Sequence, residues 1–282
     1  MKLIADSGST KTTWALMALS GKMLKEVHTS GINPFFLEYQ EIIDLMDSEL
    51  LPNISEEILS IDFYGAGCGS PEKIMVVRNA LKHRFPAAVC HVESDILGAA
   101  RALFGNREGI ACILGTGSNS CFYDGKDIIG NISSGGFILG DEGSGAVMGK
   151  KFAGDFIKGI IPSHLADLFL KVYKVDKHEI IDRVYRKSFP NRFLASFSKF
   201  VAENINDPYC KNLVYTNFIN FIIRNVEQYP DYNRYSVGFV GSIAQVFEDI
   251  LLEAMQKRGL KIHSIQKNPI YGLVEYHSSV IA

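Results

Sequence analysis

One strand–loop–strand pattern occurs twice, and this repeat limits the folds open to the chain more than any other feature. "IADSGSTKTTWAL" starts at Ile4 and "ILGTGSNSCFYDG" at Ile113. At one constant offset Asp6 pairs with Gly115, Ser7 with Thr116, Gly8 with Gly117 and Ser9 with Ser118, and Trp14 falls on Tyr123. An apolar run, a Gly/Ser turn and a second run of strand formers is the pattern of a tight β-hairpin. Each hairpin opens a stretch of strand and helix signals, which points to a duplicated α/β domain.

The signals between and after the hairpins support that reading. Lys2–Asp6, Thr12–Leu19 and Met23–Ser30 read as strands, with a turn at Ser20–Lys22. Leu37–Leu50 has helical apolar spacing, and Ile58–Tyr64 is a strand running into "GAGCGS". Pro71–Phe85 reads as a helix with Ser70 as its N-cap; strand Ala88–Val92 and helix Asp95–Phe104 follow. After the break at "FGNREG" come strands at Ile110–Leu114, Ser120–Tyr123 and Asp127–Ile132. Glu142–Tyr229 is mostly helical (Ser163–Lys174, His178–Lys187, Arg192–Asn204, Lys211–Tyr229) and has no counterpart in the first half, so it reads as an insertion. Tyr235–Val240 is a buried strand, Ala244–Arg258 a helix, and a last helix starts at Pro269. The expected lobes are 1–107 and 108–268, the second carrying a helical insertion over 150–230, with helix 269–282 packing back on the first.

"DSGSTKT" resembles a phosphate loop but not a Walker A loop. With Lys11-Thr12 as the Lys-Thr pair, the required glycines would fall on Ala5 and Thr10, and strand formers follow instead of a helix. No GxGxxG follows the first strand, which excludes a Rossmann loop. A β-hairpin turn remains, donating backbone N–H groups and hydroxyls. Gly8 permits close backbone approach, Ser7, Ser9 and Thr10 add hydroxyl donors, and Lys11 adds charge. A carboxylate beside polyphosphate is repulsive, so Asp6 makes sense with a Mg²⁺ that keeps its waters between the two. The second hairpin has Gly115 in that place, so only one hairpin is expected to handle metal.

Composition narrows the function classes. Of 282 residues, 47 % are hydrophobic and 21 % charged, and the formal net charge is −2, so nothing favours nucleic acid or an acidic membrane surface. No apolar run approaches the roughly 18 residues that span a bilayer. Polar residues follow Asp6 at once, unlike a signal peptide, and a cytoplasmic location is expected. The five cysteines are dispersed and read as free buried thiols; the seven histidines include no HxxxH pair, so no zinc site is expected.

Taken together, "DSGSTKT", "SDILGAARA", "GTGSN", "GGFILGDEGSG", "GFVGSIA" and "NPIYGL" resemble, in order, the motifs of the N-acetylglucosamine kinase and BadF/BadG-type ATPase family of actin-like ATPases and sugar kinases. The resemblance implies a two-lobed actin-like (duplicated ribonuclease H-like) α/β fold that uses ATP and Mg²⁺. It implies phosphate and ATP contacts at Asp6, Gly8, Ser9, Thr10, Lys11, Thr116, Gly117, Ser118, Gly241 and Ser242, with Asp6 holding Mg²⁺ through water. Ser7 and Ser9 stand where the commoner "DGGGT" has glycines, and their hydroxyls are expected to point outward.

For chemistry, a sugar kinase needs a base on the attacking hydroxyl. The resemblance gives that role to Asp95, which the residues alone read equally well as part of a helix cap with Ser94; Glu93 is the neighbouring carboxylate, turned away by strand alternation. It also implies sugar contacts at Asn33, Asp95, Ser134, Gly135, Gly136 and Asp141. Glu142 and Ser144 read as helix-start residues, and the resemblance of "NPIYGL" to the family's second connecting helix implies a tight helix crossing at Gly272. The leading expectation is phosphorylation of an amino sugar, N-acetylglucosamine to its 6-phosphate, by a homodimeric enzyme. Two alternatives stay open: an ATPase activator of a dehydratase or reductase, and a non-catalytic sugar sensor. The chain opens directly on its first strand, so a DNA-binding regulator is not expected.

Overall fold

Leu3, Ile4 and Ala5 lie in the first strand with no exposed surface, and they face two different cores. Side chains alternate across a sheet, so a strand buried on both faces must be covered on both. Leu3 and Ala5 pack with Ile42, Val77 and Leu81, and Ile4 with Ala102, Ile270 and Leu273.

This is a computed structural model of the chain, describing residues 1–279. Positions 280–282 of the expected C-terminal helix lie outside the described residues. The chain forms two units. One holds Met1–Ala111, Tyr123–Ile129 and the segment from Asn268; the other holds Cys112–Phe122 and Gly130–Lys267.

The first unit contains β1 (Lys2–Ser7), β2 (Lys11–Met17), β3 (Met23–Ser30), α1 (Tyr39–Leu45, continued by a wider turn over Met46–Leu50), β4 (Ser60–Gly65), α2 (Pro71–Arg84), β5 (Val89–Ser94) and α3 (Asp95–Phe104). The sheet order is β3-β2-β1-β4-β5. β1 pairs antiparallel with β2 and parallel with β4, which pairs parallel with β5. The parallel β1–β4–β5 ladder therefore ends at one edge with Ser7, Gly65 and Ser94 in register. Trp14 anchors one face: its ring nitrogen donates to Thr29 Oγ1 at 3.0 Å and its ring lies 5.8 Å from Phe63.

The chain continues through β6 (Gly109–Leu114), β7 (Ser118–Tyr123), β8 (Ile128–Ile132), α4 (Gly136–Leu139), α5 (Gly145–Lys158), α6 (Ser163–Tyr173), α7 (Lys177–Arg186), α8 (Pro190–Glu203), α9 (Pro208–Arg224), β9 (Ser236–Val240), α10 (Ser242–Val246), α11 (Glu248–Lys257), β10 (Lys261–Gln266) and α12 (Ile270–Ser279). The second sheet runs β10-β9-β6-β7-β8. An aromatic cluster of Phe152, Phe169, Tyr173, Phe197 and Phe200 cements the helices, with Phe169 4.8–5.3 Å from the other four rings. Thus the two-lobed α/β fold expected from the repeat is present.

Some elements differ from the sequence reading. The helix expected over Ala244–Arg258 breaks at Phe247 (φ −112°, ψ 32°) into α10 and α11. The helix expected over Lys211–Tyr229 starts earlier, at Pro208, because Asp207 accepts Tyr209 N–H at 2.8 Å, and stops at Arg224. Strand β10 was not expected, and α5 was expected only as a start near Glu142–Ser144. Gly145, Gly149 and Gly154 mask the helical signal of α5. Gly149 has a packing reason: a Cβ there would lie 1.9 Å from the Leu194 carbonyl oxygen, so α5 and α8 meet backbone to backbone.

Candidate functional site

In the first unit, β1 and β2 are closed by a bond from Gly8 N–H to the Lys11 carbonyl at 3.0 Å, with Thr10 and Lys11 exposed at the tip. A strand after the turn, not a helix, excludes the Walker A arrangement. Ser7 corrects one expectation: its hydroxyl points inward, fully buried. It pairs with Thr12 Oγ1 at 2.7 Å and, with the backbone of Ile32, donates to the carbonyl at 2.9 Å and accepts from the N–H at 3.0 Å. The hydroxyl thus fastens the hairpin to the chain after β3. Gly31 lies directly beneath the turn, where a Cβ would sit 2.4 Å from the Gly8 carbonyl oxygen. The sequence reading missed Gly31; the signal was a glycine following β3 with no turn of its own to explain it.

Asn33 is buried and joins this hairpin. Its amide donates to Ser9 Oγ at 2.7 Å, and its Oδ1 accepts Phe35 N–H at 2.9 Å. A Cβ on Gly67 would meet that Oδ1 at 2.2 Å, so the "GAGCGS" loop comes down onto Asn33. Beside it, Lys73 donates to the Pro34 carbonyl at 2.6 Å, with its ammonium 5.4 Å from the Phe35 ring centre.

Asp95 opens α3 at the end of β5. Ser94 is the N-cap, accepting Leu97 N–H at 3.4 Å, which frees the Asp95 carboxylate for another role; it receives Ile96 N–H at 2.9 Å. α3 approaches β4 through Gly98, where a Cβ would touch the Tyr64 side chain at 2.7 Å. Burial raises the Asp95 pKa to about 6, against the pull of the backbone N–H groups of Ile96 and Asp95 itself. Burial, then the Asp95 charge, raises Asp6 to about 7, with Lys11 opposing. Asp6 precedes Ser7 at the same sheet edge, and ligands of α/β sheets collect outside the C-terminal ends of strands. Two acids that both resist ionising form a place where a cation is welcome. Among the described residues no cluster of three His, Cys, Asp or Glu could hold a metal alone. Mg²⁺, which keeps its waters and takes one or two carboxylates plus phosphate oxygens, fits this set.

In the second unit, the β6–β7 turn is tighter: Gly115 N–H donates to the Gly117 carbonyl at 2.9 Å. The first N–H groups of α5 hold the turn, Gly145 donating to the Gly115 carbonyl at 2.9 Å and Ala146 to the Thr116 carbonyl at 3.1 Å. In a trans peptide, N–H and C=O point opposite ways, so the N–H groups of Thr116 and Gly117 face away from α5, available to an anion. Ser118 N–H is spent on Asp141 Oδ1 at 3.3 Å.

Asp141 itself takes a left-handed conformation (φ 55°), fixed by its N–H to the Ser134 carbonyl at 2.8 Å and its carbonyl to Ser144 N–H at 3.1 Å. Thus Ser134 and Asp141 meet, Gly135 and Gly136 form the exposed bend between them (φ 71° each), and Asp141 Oδ2 lies 3.1 Å from where a Gly117 Cβ would be. Burial, more than the adjacent Glu142, raises Asp141 to about 6. Glu142 turns aside to Arg224 at 2.5 Å, and Ser144 is the N-cap of α5, accepting Val147 N–H at 3.1 Å.

Gly241 leads β9 into α10 at φ 119°, where a Cβ would strike the Leu114 carbonyl oxygen at 2.3 Å. Beyond it, a cavity of about 400 Å³ is lined by Ser242, Ile243 and Val246 of α10 and by Ser198, Lys199, Ala202 and Glu203 of α8. A lining that mixes the apolar Ala202, Ile243 and Val246 with short polar groups suits a planar base. The α8 residues carried no local signal in the sequence; only the folded insertion brings them to α10.

All five cysteines are free and buried. The tight crossing expected at Gly272 is present: a Cβ there would lie 2.3 Å from the Ala102 carbonyl oxygen of α3. No helix among the described residues is long and apolar enough to cross a membrane.

Comparisons with known proteins agree with this picture. A candidate N-acetylglucosamine kinase from Porphyromonas gingivalis superposes with a TM-score of 0.95 at 46 % identity, over 99 % of each chain. A candidate N-acetylglucosamine kinase from Chromobacterium violaceum, at 18 % identity, shares the fold with a TM-score of 0.74 over 98 % of each chain. The N-acetylmuramic acid/N-acetylglucosamine kinase of Clostridium acetobutylicum is 27 % identical over 212 residues, 70 % of this chain and 68 % of that protein. No family model matches the chain.

Proposed function

The chain belongs to the N-acetylglucosamine kinase-like family of sugar kinases, and on that footing we propose that it transfers the γ-phosphoryl group of ATP to the 6-hydroxyl of N-acetylglucosamine. One observation carries the reading: Asp95 is a desolvated carboxyl at the C-terminal edge of the parallel ladder, freed from capping by Ser94 and with a pKa of about 6. A base poised just below neutral pH is ionised yet still a good acceptor.

In this reaction Asp95 accepts the proton of the 6-hydroxyl as the new O–P bond forms and the bond to the departing ADP oxygen breaks. Asn33 and Asp141 orient sugar hydroxyls, with Ser134, Gly135 and Gly136 offering backbone contacts. The N–H groups of Ser9 and Thr10 and of Thr116 and Gly117 bind phosphate oxygens, with Gly8 allowing their close approach and the Ser9, Thr10 and Ser118 hydroxyls and Lys11 beside them. Gly241 and Ser242 seat the nucleoside against the α8–α10 cavity. Mg²⁺, held through water by Asp6, would supply charge neutralisation on the phosphates. The rate gain comes from positioning and preorganised donors.

A panel of amino sugars in an ATP-coupled assay tests the reading. N-acetylglucosamine should raise ATP turnover in the wild type and not in Asp95→Asn. If no sugar stimulates turnover, the kinase reading fails. The alternative of an activator sharing an iron–sulfur cluster needs reachable thiolates, whereas burial pushes Cys68 and Cys210 up to about 12 and Cys112 well above its ordinary range.

A second substrate is favoured by Lys73. Its ammonium is half-buried against Phe35, uses one backbone carbonyl, and has no carboxylate partner among the described residues. It flanks Asn33, the sugar-contact residue. A sugar bearing a carboxylate on its O3 ether, as N-acetylmuramic acid does, would supply the missing anion. The Clostridium acetobutylicum relative is named for both sugars.

A further inference from the structure

A groove of about 470 Å³ runs between α5 and α9, wholly within the second unit and separate from the α8–α10 cavity. Its α5 wall carries Lys150, Lys151 and Lys158; its α9 wall carries Asn212, Thr216 and Asn220, four residues apart and therefore on one helix face. Asp155 is its one carboxylate, already engaged by Lys151 at 2.7 Å and by the Tyr209 hydroxyl at 2.9 Å. The lining thus keeps an excess of positive charge. The side chains of Lys158, Asn212, Thr216 and Asn220 make no hydrogen bond or ion pair among the described residues, so a row of amides and a hydroxyl faces a row of ammonium groups with its bonding capacity unspent.

The floor of the groove is wired to the Asp141 loop. Asn217 is buried and uses both ends of its amide there, accepting Gly143 N–H at 3.0 Å and donating to the Ser144 carbonyl at 3.1 Å. At the rim, Lys150 donates to the Phe137 carbonyl at 2.5 Å, holding the turn of α4 that follows Gly135 and Gly136. The two ends of the Ser134–Ser144 segment are therefore tethered to residues that line the groove.

We propose that this groove is a second binding site, for a small phosphorylated polyol, and that its occupant acts on the Asp141 loop through Asn217 and Lys150. The lysines match a phosphate dianion, and the Asn212–Thr216–Asn220 face matches a row of hydroxyls. An anion that draws Lys150 off the Phe137 carbonyl loosens the α4 turn, while contact at the floor adjusts Gly143 and Ser144. The identity of the natural occupant rests on the kinase reading, under which a sugar phosphate, the class of the reaction product, would report back to the sugar loop; the existence of the site does not.

Calorimetric titration of the full chain with glucitol 6-phosphate, an open-chain polyol phosphate, tests the site without any turnover. Binding should be measurable, weaker for inorganic phosphate, and absent for glucitol. Affinity should fall about tenfold or more in Lys151→Met/Lys158→Met, and equally in Thr216→Asp, which places a charge on the exposed face of α9 and keeps the fold testable should the double variant misfold. Amide exchange at Gly143 and Ser144 should change on addition of glucitol 6-phosphate to the wild type and not to Thr216→Asp. No heat at millimolar ligand, affinity untouched by both variants, or a dimer that shields the groove overturns the site. Binding that leaves Gly143 and Ser144 exchange unchanged overturns the coupling. Loss of kinase activity in every sugar assay, with this binding intact, would count against the proposed function alone.

Discussion

Asp6, near the end of β1, and Asp95, just beyond β5, stand at one edge of the parallel β1–β4–β5 ladder, two strand spacings or about 10 Å apart. The charge on Asp95 is the second cause, after burial, of the rise of Asp6 to about 7.

The base must be ionised to accept a proton, so kcat/KM for the sugar should fall as pH drops below about 6, where Asp95 takes up a proton. Asp95→Asn should lower kcat by about 10²–10⁴-fold at every pH and abolish that acidic limb. A steady-state pH profile of both proteins checks this; an unchanged limb in the variant would assign it to another group.

Asp6 gives a prediction about stability. Its pKa rises on folding from an ordinary 3.8 to about 7, so the neutral form favours the folded state. That contribution is complete below pH 3.8 and lost as pH climbs through 7. In EDTA at pH 8, Asp6→Asn should therefore be more stable than wild type by about 1–3 kcal/mol, with the gap closing toward pH 4. Mg²⁺ should raise the wild-type Tm at pH 8 and leave Asp6→Asn unmoved. Thermal melts with and without the metal give the answer, whether or not the protein turns over sugar.

Gly31→Ala should damage the phosphate hairpin. The new methyl would press on backbone atoms of Gly8, Ser9 and Thr10 at 2.4–2.7 Å, none of which is a flexible side chain. A loss of about 1–3 kcal/mol is expected in denaturant titration, accompanied by weaker ATP binding in calorimetry. A variant with native ATP affinity would show that the turn is not a phosphate site.

Lys73→Met should change the preference between sugars. A charge-assisted hydrogen bond contributes about 1.5–3 kcal/mol, so kcat/KM for N-acetylmuramic acid should drop about tenfold or more beyond any change for N-acetylglucosamine, and Lys73→Arg should recover most of it. Equal losses for both sugars would reduce Lys73 to a support for the Pro34–Phe35 loop.

The local parts of this protein were legible in its sequence. Both hairpins, the Ser70 cap and the start of α3 at Asp95 follow from residue type and spacing within a few positions. What escaped depends on distant partners. Glycine lowers helix propensity, so α5 was hidden by its glycines, and the purpose of one of them, the contact of Gly149 with Leu194, appears only in the fold. The α8 wall of the cavity beside Ser242 is brought there by packing. The inward turn of the Ser7 hydroxyl required Thr12 and the Ile32 backbone to be in place.

That hydroxyl has a thermodynamic consequence. A glycine at this position would leave the turn to find its shape upon meeting a ligand, and ordering a loop at that moment subtracts from affinity. Ser7, bonded to both backbone groups of Ile32, settles the geometry during folding. The hairpin holds its shape before any ligand arrives, so the phosphate recognition proposed for it would draw its entropy cost from the folding reaction and not from the encounter.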